Sequence, residues 1–263
     1  MRIDVQIKYK QKISIMNKLP TITISFWIMK ICATTLGETA GDLLAQTFKI
    51  GYAISSMVLL GFFFITLMIQ LFSKKFHPMI YWTVILATST AGTTMSDYMD
   101  RTLGLGYATG SMILVTLLII TLIVWKLTEK SLSVTNIQSL RGEVFYWTAI
   151  LFSNTLGTAL GDYLADDSGL GFIGGAILIG GLLVCIVLTY YFAKISHVVL
   201  FWLAFVLTRP FGATFGDLLT KPLEKGGLNF GTVGSSLILF IILAILVIMS
   251  VIKNNSVSKN EMS

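Results

Sequence analysis

A tryptophan followed fifteen residues later by an aspartate occurs four times in the chain, and this spacing constrains the fold more than any other feature. The segment before each aspartate repeats glycine and threonine positions, as in Thr155-Leu-Gly-Thr-Ala-Leu-Gly-Asp162. A repeat at fixed spacing indicates an array of similar structural units. The tryptophans are separated by 55, 65 and 55 residues, which favours a duplicated pair of units. The four pairs are Trp27 and Asp42, Trp82 and Asp97, Trp147 and Asp162, and Trp202 and Asp217.

The composition is that of a membrane protein. Hydrophobic residues make up 55% of the chain and charged residues 12%, whereas soluble domains carry about 25% charged residues. Apolar runs of roughly 20 residues, the length that spans a bilayer, recur along the chain. The net charge of +6 comes mainly from Lys and Arg outside these runs. We therefore expect the lipid bilayer as a partner and no nucleic acid.

The apolar runs predict an all-α integral membrane protein with eight transmembrane helices, arranged as four helical hairpins in parallel repeats. Each unit would contribute two spans, so that every unit enters the membrane in the same direction. The predicted spans are 20–45, 51–72, 79–99, 105–126, 144–165, 170–193, 198–219 and 231–252.

The polar segments divide the chain into regions. No small-residue cleavage site follows the first apolar stretch, so the basic N-terminus is interpreted as an uncleaved leader. The predicted regions are a leader at 1–18, the first two units at 19–127, a central loop at 128–143, the last two units at 144–252 and a tail at 253–263.

Basic residues predict the orientation of the spans. The side that holds both termini and the central loop carries thirteen Lys and Arg, and the opposite side carries four. An excess of Lys and Arg marks cytoplasmic loops. We therefore expect both termini in the cytoplasm of a bacterium, with the protein in its inner membrane.

Small residues recur ten and fourteen positions after each tryptophan (positions +10 and +14). This small-xxx-small spacing lets membrane helices pack with their backbones close together. A second small pair opens each even-numbered span, as with Gly106 and Gly110, and predicts close packing there as well. The predicted helix-packing residues are Gly37, Gly41, Gly92, Gly157, Gly161, Gly212 and Gly216.

Positions +8, +11, +12 and +15 form a polar face on each odd-numbered span. An ionised Asp in hydrocarbon costs at least ~2.5–3.5 kcal/mol, so it faces protein or water and usually has a function. Oxygen ligands suit Mg²⁺, Ca²⁺ and Mn²⁺. The alternative is that each Asp caps the turn that follows it. The candidate cation ligands are Glu38, Asp42, Asp97, Asp162, Asp217, Thr35, Thr90, Thr155 and Thr158, with Glu38, Asp42 and Asp162 as the principal metal ligands.

Two basic residues lie inside the spans. Arg209 is the only arginine there, and we expect it to be the charge partner of a carboxylate, with Asp217 as the candidate. The alternative is that Arg209 extends to the interface or binds a helix broken at Pro210. Lys30 lies nearer the inner end, and we expect its side chain to extend to the interface.

From Leu19 to Ile252, the chain resembles a bacterial repeat family of unknown function, with a Thr-Thr-x-Gly-Asp type signature, whose members are membrane-anchored proteins. The resemblance is carried by Leu36-Gly-Glu-Thr-Ala-Gly-Asp42, by the segment from Ser153 to Asp162 and by the segment from Thr208 to Pro222. It implies no activity. Glu38-Thr-Ala-Gly-Asp42 is also similar to the Glu-x-Gly-Asp motif of manganese and calcium exporters, with one more residue between the acids.

These patterns favour a secondary transporter of a small cation, with the proton as the candidate coupling ion. A four-helix cation channel and a non-transporting scaffold or anchor are the alternatives. An enzyme is not expected, because the residue three before each Asp departs from the Gly-x-Gly-Asp pattern of intramembrane aspartyl proteases. Neither Cys32 nor Cys185 belongs to a metal or disulfide pattern, so no cofactor is predicted. The sequence leaves the ion and the oligomeric state open.

Overall fold

The computed structural model describes residues 19–137 and 139–260, and every regular element in these ranges is a helix. Eight long helices occupy the positions of the eight predicted spans. The expected leader at 1–18 lies outside the described residues. The helices are α1 (Ile24–Asp42), α2 (Tyr52–Phe72), α3 (Pro78–Asp97), α4 (Tyr107–Glu129), α5 (Leu140–Asp162), α6 (Gly171–Phe192), α7 (His197–Thr220) and α8 (Thr232–Asn260).

Five of these helices, α2, α4, α6, α7 and α8, are long and apolar enough to cross a membrane. The other three, α1, α3 and α5, are more polar because they carry the repeated hydroxyl and carboxyl residues. Those side chains are buried: in the motif of α5, every residue from Ser153 to Ala159 is inaccessible or nearly so. The polar helices therefore lie inside the protein, and the most apolar ones surround them.

The first helices of the four repeats form a closed ring, in which α1 contacts α3, α3 contacts α5, α5 contacts α7 and α7 contacts α1. The glycines at +10 and +14 lie at these contacts. A Cβ added to Gly157 would collide with the Arg209 side chain, and one added to Gly161 would lie 2.7 Å from the Cβ of Ala213. Only glycine allows the backbones to approach this closely.

The contacts also show that the ring helices are parallel and in register. The glycine at +10 meets the residue at +7 of the next helix, as Gly92 meets Asn154, and this holds at all four interfaces. The glycine at +14 meets the residue at +11, as Gly41 meets Thr93. Because both contacts run in the same order along the two chains, neighbouring helices point the same way. The ring thus has pseudo-fourfold symmetry.

The second helices form an outer layer, but they do not make the hairpins expected from the sequence. Each packs mainly against the first helix of the following repeat: α2 on α3, α4 on α5 and α6 on α7. Helix α8 packs on α1 and so closes the circle. The Ser236 hydroxyl of α8 hydrogen-bonds Thr39 Oγ1 of α1 at 2.9 Å. The hairpin arrangement is therefore wrong, because chain neighbours in a repeat are not packing neighbours.

Aromatic side chains fill the ring at its tryptophan end. The aromatic side chain directly before each motif tryptophan contacts the motif tryptophan of the next ring helix. Phe26, for example, contacts Trp82 with ring centroids 5.6 Å apart. Tyr81 and Trp147 are 5.5 Å apart, and the Tyr81 hydroxyl lies 2.6 Å from that of Tyr146. Three of the four tryptophans are buried, so they serve as core residues. This end of the ring is closed by side-chain packing.

The opposite end carries the connections between the ring helix and the outer helix of each repeat. In the first three repeats the chain continues past the motif Asp through one π-helical turn, as at Tyr98–Thr102. A glycine with positive φ then starts the next helix, as at Gly51 (φ 82°) and Gly106 (φ 72°). A Cβ on either glycine would meet no atom within 4 Å. The expectation of close packing is therefore wrong for the first glycine of each pair, whose role is conformational. It is confirmed for Gly110 and Gly175, where an added Cβ would meet the side chains of Asp100 and Thr214.

Candidate functional site

The ring encloses a column of side chains that repeats every four residues and is mainly polar, except in the +3 layer, which consists of Lys30, Ile85, Ile150 and Phe205. Positions +3, +7, +11 and +15 of each motif helix lie on the face turned to the neighbouring ring helices, because a step of four residues returns almost to the same side of a helix. Each position therefore forms one layer of four residues, one from each repeat. The +15 layer consists of the four motif Asp residues, and the +7 layer of Thr34, Ser89, Asn154 and Arg209.

Arg209 is fully buried, and its guanidinium joins three helices of the ring. Its Nη2 donates to the hydroxyls of Thr93 (2.5 Å) and Thr158 (2.7 Å). Its Nη1 donates to the backbone carbonyl of Thr34 at 3.3 Å. A planar guanidinium with several fixed donors suits such a junction better than a lysine would.

Glu38 is the charge partner of Arg209, with Nη1 and Oε2 separated by 2.9 Å and both side chains buried. The same carboxylate oxygen accepts hydrogen bonds from Thr93 (3.3 Å) and Thr158 (3.2 Å). The expected pairing of Arg209 with Asp217 is therefore wrong. Asp217 lies two layers from Arg209 on the same helix, whereas Glu38 of the adjacent helix is within reach.

The four motif Asp side chains are bridged in pairs by two bases from the connections. Lys221 Nζ lies 2.7 Å from Asp42 Oδ2 and 3.0 Å from Asp217 Oδ1. Arg101 lies 2.7 Å from Asp97 Oδ1 through Nε and 3.0 Å from Asp162 Oδ2 through Nη2. All four carboxylates are buried. Each base thus joins two neighbouring repeats and covers the open end of the ring.

Both bases remain charged. Burial lowers the pKa of Lys221, but Asp217 and Asp42 outweigh burial and hold the pKa above its ordinary value. Burial likewise lowers the pKa of Arg101, and Asp97 and Asp162 raise it by more. The four Asp side chains therefore face two fixed positive charges.

The four repeats differ in the residue that lies four positions after the motif Asp. This position (+19) is Gln46, Arg101, Asp166 and Lys221 in the four repeats. Gln46 donates to Asp42 at 2.5 Å, and the two bases contact the Asp of their own repeat. Asp162 has an acidic residue at +19 instead, and its ion pair comes from the neighbouring repeat. Asp162 is thus the motif Asp without a local partner.

Three carboxylates from different helices converge near the ring axis. Glu38, Asp162 and Asp217 each place an oxygen within 4.8 Å of the other two, and all three are buried. Of the principal metal ligands expected from the sequence, Glu38 and Asp162 belong to this cluster. Asp42 does not, and its two oxygens accept hydrogen bonds from Lys221 and Gln46. Asp217 takes its place.

The threonines expected as ligands divide into two groups. Thr158 contacts Glu38 and Arg209. Thr35, Thr90 and Thr155 instead donate to carbonyls of their own helices, at 2.9 to 3.1 Å. Their shared position, +8, points away from the axis, so the polar face proposed at +8, +11, +12 and +15 is only partly correct.

The capping alternative fails for the repeats whose Asp precedes a π-helical turn. Asp42, Asp97 and Asp162 occupy the N-cap position of that turn, but none makes a side-chain capping hydrogen bond. Their carboxylates instead form ion pairs with Arg101 and Lys221. Helix α7 also continues through Pro210, so a broken helix does not explain Arg209.

Lys30, in the +3 layer, does not extend to the interface as the sequence suggested, because it is fully buried. Its Nζ donates to Asn154 Oδ1 at 3.1 Å and lies 3.9 Å from the centroid of the Phe205 ring. Apart from Arg209, the sequence interpretation overlooked the +7 layer. Counting back in steps of four from each Asp would have found it.

Searches of curated proteins and of solved structures return no match. The family description that does match is "Repeat of Unknown Function (DUF347)", and it matches four times, over residues 25–76, 80–131, 145–196 and 200–255. Each match begins near the motif tryptophan and contains one ring helix and the outer helix that follows it. The chain therefore belongs to this four-repeat family of unknown function.

Proposed function

We propose that the protein is a multi-pass membrane transporter that binds a small cation at Glu38, Asp162 and Asp217. The observation that carries this proposal is the convergence of these three buried carboxylates within 4.8 Å, each from a different ring helix. Five axial carboxylates meet only three bases in ion pairs. A bound cation would compensate the excess negative charge.

The ring helices suit a membrane setting. Helix α7 is apolar enough to span, and α1, α3 and α5 run parallel to it at the same level. Their polar groups face the ring interior, where they are shielded from lipid. The Lys and Arg distribution supports placing both termini on the cytoplasmic side of a bacterial inner membrane. The aromatic end would then face the cytoplasm.

Cation binding would require the ion to compete with Arg209 for Glu38. A cation at the cluster would take the carboxylate oxygen that now accepts from the guanidinium at 2.9 Å. Arg209 would keep its contacts to Thr93 and Thr158, because hydroxyls serve as neutral acceptors. Hard divalent ions such as Mg²⁺, Ca²⁺ and Mn²⁺ prefer oxygen ligands, which these carboxylates supply.

Two features favour a transporter over a channel. The axis is occupied by a guanidinium in the +7 layer and by aromatic rings at the tryptophan end. A transporter needs such closure at one side while the other opens. A channel would instead require a continuous path along the axis.

Binding to purified protein tests the site. Calorimetric titration with Mn²⁺, Ca²⁺ and Mg²⁺ should show saturable binding of at least one ion by the wild type. The variant Glu38→Gln/Asp162→Asn/Asp217→Asn should bind that ion with at least tenfold lower affinity. Asp167→Asn is the matched control, because this exposed carboxylate lies at the same end of α5 but outside the cluster. Equal binding by the triple variant would remove the site from these residues.

Uptake into proteoliposomes distinguishes the functional classes. A transporter should show ion uptake that saturates with concentration and fails in the triple variant. Uptake that rises linearly with concentration would favour a channel. Neither binding nor uptake of any of the three ions would favour a scaffold.

A further inference from the structure

Lys30 carries a buried amino group that the proposed cation site does not use. Its side chain is inaccessible to solvent, two layers from the Glu38 layer. Its partners are neutral: the Asn154 amide oxygen at 3.1 Å and the face of Phe205 at 3.9 Å. A neutral hydrogen bond and a ring face compensate an ammonium less well than a carboxylate does.

The groups around Lys30 supply no compensating negative charge. In the described part of the chain, no carboxylate lies within ion-pair distance of its Nζ. On α7 the nearest charged residue is Arg209, whose positive charge repels an ammonium. The titratable group of α3 toward the closed end is Tyr81, which hydrogen-bonds Tyr146 of α5. On α8 the stretch from Thr232 to Ile252 contains no ionisable residue.

A short hydrogen-bonded path links Lys30 to the cation site. Asn154 accepts from Lys30 and donates to the Ser89 hydroxyl at 3.3 Å. The backbone carbonyl of Ser89 accepts from Arg209 Nη2 at 3.3 Å. Arg209 in turn donates to Glu38. A change in the charge of the Glu38–Arg209 pair therefore alters the electrostatic potential at Lys30, one helical turn from Arg209.

We infer that Lys30 is a proton-binding site that exchanges its proton with the transported cation. This inference rests in part on the proposed function. When the cation binds Glu38, Arg209 loses its counter-ion. The uncompensated positive charge of Arg209 then disfavours a second positive charge at Lys30. The ammonium then releases one proton to water and becomes the neutral amine, and it regains one proton when the cation leaves. Cation and proton would thus alternate.

The protonation state of Lys30 is measured without any metal. Protein with ¹³Cε-labelled lysine in lipid nanodiscs is titrated by NMR, and the Lys30 signal is the one absent from Lys30→Met. Should that variant fail to fold, Lys30→Arg supplies the same assignment. We expect this signal to change from ammonium to amine at a lower pH than the signals of the solvated lysines. A Lys30 signal that changes together with those of the solvated lysines, or that stays an amine at the lowest pH at which the protein is folded, would overturn the inference.

Proton release on ion binding tests the coupling. Calorimetry in buffers of different ionisation enthalpy should show about one proton released per ion by the wild type and by Lys194→Met, a control at an exposed lysine. Lys30→Met fixes the neutral state and should bind the ion and release no proton. Lys30→Arg fixes the charged state and should bind the ion more weakly than Lys30→Met, again with no proton released. Wild-type release in the Lys30 variants would overturn the coupling. Absence of ion binding by the wild type would refute the proposed function, and the NMR titration would still decide whether Lys30 binds a proton.

Discussion

At the scale of single residues, the ion pair between Arg209 and Glu38 is the most consequential contact in the ring. Both side chains are buried, and both depend on the same two hydroxyls, those of Thr93 and Thr158. Bringing two charges out of water is expensive, and removing one of them leaves the other uncompensated. The pair is thus better understood as a functional element than as a source of stability.

Arg209→Met should destabilise the protein by about 3–5 kcal/mol, because it leaves the Glu38 carboxylate buried without its base. The double variant Arg209→Met/Glu38→Gln should recover more than half of that loss, since no unpaired charge remains. Unfolding of detergent-solubilised protein measures both. Equal losses in the single and double variants would show that packing, and not charge, explains the effect.

At the scale of helices, the glycine pairs decide how close the ring helices come. Gly157 of α5 lies against the Arg209 side chain and Pro210 of α7, and a Cβ there has no space. The same contact recurs at the other three interfaces, so every glycine at +10 positions a residue of the polar +7 layer. Helix packing and site geometry therefore depend on the same residues.

Gly157→Ala should cost about 1–3 kcal/mol, because the added methyl forces α5 and α7 apart. Gly61→Ala is the matched control: it lies within α2, and its Cβ would meet nothing within 4 Å. The control should be neutral or gain up to about 1 kcal/mol from helix propensity. Thermal unfolding of the two variants makes the comparison, and similar midpoints would show that the α5–α7 interface yields to the methyl.

At the scale of the whole molecule, the last helix is what closes the assembly. Helix α8 covers α1, where Cys32 Sγ donates to the Leu239 carbonyl at 3.4 Å and Ser236 bonds Thr39. The outer helix of each repeat packs on the ring helix of the following repeat. The ring helix of the first repeat is therefore covered only when the fourth repeat has formed. An even number of helices also places the start of α1 and the end of α8 at the same face.

Topology reporters test the arrangement. A reporter active only in the cytoplasm, fused after Ser263, should be active, and one inserted between Arg101 and Leu105 should be inactive. The expectation follows from the thirteen-to-four division of Lys and Arg. A reporter active only outside the cytoplasm should give the reverse pattern. A C-terminus outside the cytoplasm would overturn the proposed orientation.

The sequence by itself determined the periodic features of this protein. Apolar run length predicted eight helices close to where they lie, and the tryptophan-to-aspartate spacing predicted four equivalent units. The glycines at +10 and +14 marked the closest helix contacts, because backbone approach depends on side-chain size alone. These features are local, and each is repeated four times along the chain.

Only the tertiary structure decided the pairings. Three findings depend on neighbours that are distant in sequence. They are the packing of each outer helix on a ring helix, the ion pair of Arg209 with Glu38 instead of Asp217, and the burial of Lys30. The four repeats offer nearly identical faces, so sequence spacing does not identify the partner of any one charge. Closure of the helix ring identifies that partner, because it fixes which two helices are adjacent and at which level their side chains meet.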